Sequence, residues 1–306
     1  MRILVAVDGS PQAELMLAGL PRAGLADDCE ATVLSVADVW LPGPSSEDAV
    51  RASGQDPTAA FPRASQLAEQ ALAQAREFSE RGCARLRSEF PKWRVSAESA
   101  ADSPAWSIIA AAERIGADLV VVGSHGRSAI GRVLLGSVSM RVLDELRCSV
   151  RIGRAPPQRQ EIRVIVAVDG SPDCDAAVQA VCSRRWPAGA AFRVVTAANW
   201  RLHNAPLTAL IGPHLSPEAW AEGIANRAAK QLAERGLSAS VVVRSGDAKH
   251  VLVSEAEAWE ADTIFVGARG LTRGERWLLG SVSAAVASRA PCSVEVVHPA
   301  TVTRGV

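Results

Sequence analysis

Two glycine loops carry the residues in this sequence best suited to chemistry. Gly123, Gly126, Gly136 and Ser137 form a pattern G-x-x-G, nine residues, G-S, and Gly267, Gly270, Gly280 and Ser281 repeat it at identical spacing. Glycine lets backbone N–H groups approach an anion closely, and a Gly-Ser pair opening a helix adds a helix N-terminus and a hydroxyl donor. Phosphate is the anion such a loop suits. A purely conformational role, as turns between strand and helix, is the alternative for each loop alone; repetition at one spacing weighs against it. Two carboxylates, Asp8 and Asp169, stand in matching Val-Asp-Gly-Ser segments. They either face a ligand or cap their own turns through an Asx hydrogen bond.

Other chemistries leave no trace. The sequence has no G-x-x-x-x-G-K-[ST] loop, no kinase signature set, and no G-x-G-x-x-G after either candidate first strand. The six cysteines include no C-x-x-C pair and read as small buried hydrophobes. His125 stands alone in its loop without partners at metal-ligand spacing, and His203, His214, His250 and His298 are scattered. Lys+Arg and Asp+Glu both number 33, so no global field attracts polyanions, and the eight tryptophans read as core or interface filler rather than base-stacking platforms. The opening MRILVAVDGS has neither the length nor the cleavage pattern of a signal peptide, and no apolar run approaches the roughly 20 residues of a bilayer span. These features set the expectation of a cytoplasmic protein that uses neither nucleic acid nor membrane.

The elements that must position the loops follow from an internal repeat. Ile3–Pro11 (ILVAVDGSP) recurs as Val164–Pro172 (VIVAVDGSP), 161 residues on, and Gly123–Ser139 recurs as Gly267–Ser283, 144 residues on. The first copy therefore holds about 17 extra residues, placed after Asp38 in a Pro-, Gly- and Ser-rich stretch that reads as a long loop ending near Pro62. Domains at 1–153 and 162–306, with 154–161 as linker, follow. Short β-branched runs separated by helix-length stretches predict parallel strands with crossover helices. In the first copy the expected strands are Ile3–Val7, Thr32–Ala37, Val95–Glu98, Leu119–Val122 and Ser149–Ile152. In the second they are Val164–Val168, Phe192–Ala197, Ser240–Arg244, Thr263–Val266 and Ser293–Val297. Ser10-Pro11 and Ser171-Pro172 read as an N-cap followed by proline at the first helical position. Gln66–Glu89 and Glu218–Arg235 suit helices covering the sheet. Each copy is then a five-stranded α/β sandwich, and ligands of open parallel sheets bind at the carboxyl ends of the strands, where Asp8, Asp169 and both loops fall.

The doubled G-x-x-G-x9-G-S pattern, with the preceding Val-Asp-Gly-Ser segments, resembles the ATP-type branch of the universal stress proteins, and the resemblance covers nearly the whole chain as two fused domains. It implies Rossmann-like domains of the adenine nucleotide alpha hydrolase-like class, paired within one chain through their last strands as a pseudo-twofold dimer. It also implies an ATP site, with or without magnesium, in each copy. In the first, Ala6, Val7 and Asp8 would line the adenosine side, and Val36 would read the adenine edge through its backbone. Gly123, His125, Gly126 and Arg127 would wrap ribose and phosphates, and Gly136, Ser137, Val138 and Ser139 would hold the phosphates by N–H and hydroxyl groups. The second set is Ala167, Val168, Asp169, Ala197, Gly267, Arg269, Gly270, Gly280, Ser281, Val282 and Ser283. Two departures stand out. Asp102-Ser103-Pro104 replaces the usual Gly-x-Pro turn in the first copy and puts a carboxylate near the triphosphate; Arg269 replaces His125 in the second. The implied role is a nucleotide-responsive regulator of stress tolerance that binds rather than turns over ATP and acts on a protein partner of unknown identity, with further self-association left open. The rivals are a slow ATPase or autokinase, and a nucleotide-free scaffold.

Overall fold

The computed structural model describes residues 1–39, 57–126, 135–198, 216–271 and 279–299, with the backbone alone over 57–65. The first repeat runs β1 (Arg2–Ala6), α1 (Pro11–Gly19), a 3-10 turn (Leu20–Ala23), β2 (Glu30–Ala37), α2 (Pro57–Glu89), β3 (Arg94–Ala101), α3 (Pro104–Ile115), β4 (Leu119–Gly123), α4 (Ser137–Glu145) and β5 (Ser149–Gly153). The second runs β6 (Arg163–Ala167), α5 (Pro172–Cys182), β7 (Ala191–Ala198), α6 (Pro217–Ala233), β8 (Ala239–Ser245), α7 (Ala248–Ala258), β9 (Thr263–Gly267), α8 (Ser281–Arg289) and β10 (Ser293–Val297).

The two five-stranded parallel sheets join into one of ten strands, ordered β3-β2-β1-β4-β5-β10-β9-β6-β7-β8. The joint is antiparallel: Ile152 faces Val294, Arg151 faces Glu295 and Val150 faces Val296. The intrachain pseudo-dimer expected from the sequence is therefore present, and it removes two exposed edges. Central strands such as Leu119–Gly123 and Thr263–Gly267 are buried on both faces, as their unbroken β-branched runs require. On one face each repeat has its own core, Ile3, Val5, Leu17 and Val121 in the first and Val164, Val166, Val178 and Phe265 in the second. On the other face a single core runs through both, from Leu4 and Val120 across Val150, Ile152, Val294 and Val296 to Ile264.

Helix starts obey the local signals. The Oγ of Ser10, Ser171 and Ser216 accept from the N–H groups of Ala13, Cys174 and Ala219 at 3.2, 3.2 and 3.1 Å, each followed by proline. Two expectations need correction. Helix α2 begins at Pro57, inside the stretch expected as loop, because Pro57 suits a helix start and alanines follow it; residues 40–56 lie outside the described residues. Strand β3 extends to Ala101 rather than stopping at Glu98, because its ladder to β2 continues to the Ala37–Ala101 pair. Pairing with a neighbouring strand overrides the polar composition of the segment.

Candidate functional site

In the first repeat, β1 stops at Ala6 while β2 runs on to Ala37, and the step between them opens a cavity. The β1–β2 ladder ends where Val7 N–H donates to Leu34 O at 2.9 Å. Since backbone groups two residues apart in a strand point the same way, the N–H and C=O of Val36 face the space β1 has vacated. That space is about 480 Å³, lined by all but one of the residues the resemblance implies for this copy: Ala6, Val7, Asp8, Val36, Gly123, His125, Gly126, Gly136, Ser137, Val138 and Ser139. Arg127 lies outside the described residues.

Asp8 divides its carboxylate between two tasks. Its Oδ1 accepts from Ser10 N–H at 3.0 Å, the Asx turn anticipated as an alternative, and its Oδ2 points at the glycine loop. A Cβ on Gly126 would lie 3.0 Å from that Oδ2, so the glycine permits the close approach. The turn residue Gly9 has φ +71°, and a Cβ there would meet the Phe78 ring at 2.4 Å.

The far wall is a helix end. Gly136 is the N-cap of α4, and its N–H donates to Ser124 O at 2.9 Å. With no side chain on Gly136 to cap it, α4 presents its first N–H groups, at Ser137, Val138 and Ser139, to the cavity. Helix α8 likewise starts at Gly280 without a side-chain cap, in contrast to the serine-capped α1, α5 and α6. One expected role changes. The Ser139 hydroxyl donates to Gly123 O at 2.6 Å, and Ser283 does the same to Gly267 O at 2.6 Å. These hydroxyls fasten each helix to the end of its strand, which leaves Ser137 and Ser281 as the hydroxyls at the helix starts.

His125 pairs through Nδ1 with Ser124 Oγ at 3.1 Å, while its buried Nε2 has no hydrogen-bond partner among the described residues. Asp102 does not line the cavity; its Oδ1 accepts from Ser103 N–H at 2.6 Å, and the carboxylate that reaches the cavity from this side is Asp38. Sequence reasoning missed the outer wall, Ala71, Gln74, Ala75 and Phe78 of α2 with Pro104 and Ile108 of α3. For the α2 residues the signal was one face of a long amphipathic helix.

The second repeat brings together the same positions with one substitution of partner. Asp169 Oδ1 accepts from Ser171 N–H at 2.9 Å, and a Cβ on Gly270 would lie 2.7 Å from Asp169 Oδ2. Val168 N–H donates to Val195 O at 3.0 Å, which leaves Ala197 in the orientation of Val36. Here, however, the loop is already engaged. Arg269, the counterpart of His125, donates to Asp173 from its backbone N–H at 3.1 Å and its Nε at 3.0 Å. A Cβ on Gly267 would lie 2.5 Å from the Asp173 carbonyl carbon, so α5 closes directly on the strand end; at the matching Gly123 the nearest atom is His125 O at 3.3 Å. His298 sits by the same pair, and burial pushes its pKa down to about 4, with Arg269 and Arg147 adding to the effect and Asp173 opposing it. Arg273, Glu275 and Trp277, which set the second loop's sequence apart from the first, and Arg276 lie outside the described residues.

A model of the universal stress protein family matches residues 1–153 and again 162–298. The chain belongs to the universal stress protein family. A universal stress protein of Mycolicibacterium smegmatis is 26% identical over 315 residues, covering 97% of each chain. The solved universal stress protein of Archaeoglobus fulgidus superposes with a TM-score of 0.61 at 23% identity, covering 97% of this chain and 98% of that one. A putative universal stress protein of Pseudomonas aeruginosa gives 0.58 at 20% identity over 97% and 93%. At these identities the structural likeness is one of fold, two universal stress protein domains in tandem. No group of three or more His, Cys, Asp or Glu among the described residues is placed to hold a metal ion. No helix among them is long and apolar enough to cross a membrane.

Proposed function

We propose that this universal stress protein binds an adenine nucleotide, ATP with or without magnesium, in its first repeat and acts by binding rather than turnover, as a cytoplasmic regulator of stress tolerance with a protein partner. One observation carries the reading: a single cavity has apolar walls and the outward-facing backbone of Val36 at one end, and the uncapped N-terminus of α4 at the other. The first end suits a flat base that needs edge hydrogen bonds, and the second suits phosphate. Asp8 lies between them, with its Oδ2 directed to where a ribose would sit.

Occupancy has a short route to the rest of the molecule. Helix α4 leads within a few residues into β5, the strand that joins the two repeats. A ligand at the start of α4 therefore contacts the element adjoining the joint and stabilises the folded chain by about 2.7 kcal/mol at a hundredfold excess over Kd. The second repeat, with Asp173 already on Arg269, binds the nucleotide more weakly.

The test is to denature freshly purified protein and quantify the nucleotide released per chain, for wild type and for Gly136→Gln. A Cβ at Gly136 meets nothing nearer than 3.6 Å, so the variant folds while its side chain fills the phosphate end. Adenine nucleotide recovered from wild type and lost in Gly136→Gln supports the reading. No nucleotide in wild type, and none taken up on adding ATP, overturns it in favour of a nucleotide-free scaffold.

A further inference from the structure

The antiparallel joint places equivalent residues of the two repeats opposite one another at its centre. Arg151 faces Glu295, and the two are 144 residues apart, the offset that relates Gly123 to Gly267. They therefore sit on the pseudo-twofold axis itself, where a symmetric pair of identical repeats would place two copies of one residue. Both side chains are almost wholly buried, at 2% and 1% exposure.

Among the described residues, the side chains that accept from the Arg151 guanidinium are ones the first repeat lacks. Its Nη1 donates to Glu295 Oε2 at 3.4 Å and its Nη2 to Thr263 Oγ1 at 2.9 Å. The first-repeat counterparts of Glu295 and Thr263 are Arg151 itself and Leu119. Arg184 also pairs with Glu295 and donates to Ala23 O at 3.1 Å; its own counterpart, 161 residues earlier, is that same Ala23. A joint between two first repeats would bury two guanidinium groups side by side with no carboxylate and no hydroxyl from these positions. The surrounding residues, Val150, Ile152, Val294 and Val296, are fully buried and apolar in both repeats, so they fit either arrangement. Leaving a buried charge without its partner is far more costly than the pair is worth.

We propose that Arg151 selects the partner of the first repeat: its β5 edge accepts the β10 edge of a second repeat, which carries Glu295 and Thr263, and rejects another β5 edge. The apolar strand residues supply affinity, and the charge on the axis supplies the choice. The chain closes on itself, and like repeats from neighbouring molecules do not join through this edge. This inference does not depend on nucleotide binding.

The test is to insert a protease site between Pro157 and Gln158 in the linker of the full chain, cut the folded protein, and follow the halves by native mass spectrometry through dilution and reconcentration. Wild type is expected to return only pairs of first with second repeat. The same cut chain carrying Arg151→Leu, in which Glu295 keeps Arg184, is expected to yield first-with-first pairs as well. First-with-first pairs in wild type at the statistical fraction would overturn the proposal, and so would their absence from Arg151→Leu. If the cut halves come apart entirely, the uncut chain decides through amide hydrogen exchange. Glu295→Arg, which places the first-repeat residue on both sides of the axis, is expected to speed exchange at Val150, Ile152, Val294 and Val296 about a hundredfold relative to β1 and β6. Unchanged exchange there would sink the idea.

Discussion

The Asp173 carboxylate receives the backbone N–H of Arg269 at 3.1 Å and its guanidinium Nε at 3.0 Å, across 96 residues of chain. Asp173 is 6% exposed, and it holds both the backbone and the side chain of Arg269. The first-repeat counterpart of Asp173 is Gln12, an exposed residue, and that repeat carries the described cavity.

The two repeats are therefore expected to differ in nucleotide affinity. Replacing Asp173 with the first-repeat residue, Asp173→Gln, removes a charge-assisted pair and is expected to raise second-site affinity about tenfold or more. Isothermal titration of wild type and variant, both in the Gly136→Gln background that closes the first site, measures it. A second site no stronger in the variant would show that the Asp173–Arg269 contact does not limit binding.

Asp8 separates its structural task from its ligand task by oxygen atom. Asp8→Asn can keep an oxygen on Ser10 N–H, so thermal unfolding of the free protein is expected to stay close to wild type while nucleotide affinity falls. Asp8→Ala loses both and is expected to cost about 1 kcal/mol of stability as well. Equal affinity in all three proteins would reduce Asp8 to a turn residue.

Gly9 combines a left-handed backbone with the Phe78 ring pressed against its Cα. Gly9→Ala is expected to destabilise the protein by about 2 kcal/mol or more, from backbone strain plus displacement of the ring, and to disturb the α2 wall of the cavity. Chemical denaturation gives the first, and nucleotide release the second.

His298 is held neutral by burial, with its pKa lowered to about 4. Between about 4 and the ordinary 6.5 the unfolded chain takes up a proton that the folded chain refuses, so stability falls as pH drops through that window. Its full extent is about 3 kcal/mol, present above pH 6.5 and lost by pH 4. Denaturant midpoints at pH 7, 5.5 and 4.5 are expected to decline in wild type and to decline less in His298→Gln.

Much of this was legible along the chain because it is local. β-branched runs mark strands wherever the sheet is covered on both faces, Ser-Pro pairs start helices by their own capping chemistry, and a repeat of glycines at fixed spacing requires no tertiary knowledge to notice. Those signals placed ten strands, two loops and the carboxylates of Asp8 and Asp169 at the carboxyl edge of the sheet. What only the tertiary structure decided are contacts between groups distant in sequence. The Ser139 hydroxyl turned to Gly123 rather than the cavity because folding set that carbonyl 2.6 Å away. Phe78 and Ile108 became cavity walls because two helices packed against the step between β1 and β2. Arg151 met Glu295 on the axis because packing brought opposite charges out of water together, and a charge so buried needs its partner; Asp173, itself buried, met an Arg269 whose side chain stays 40% exposed. Residue types and spacing were enough to locate the two loops; which side chain meets Arg269, and which charge faces Arg151 across the joint, depended on neighbours that only folding supplied.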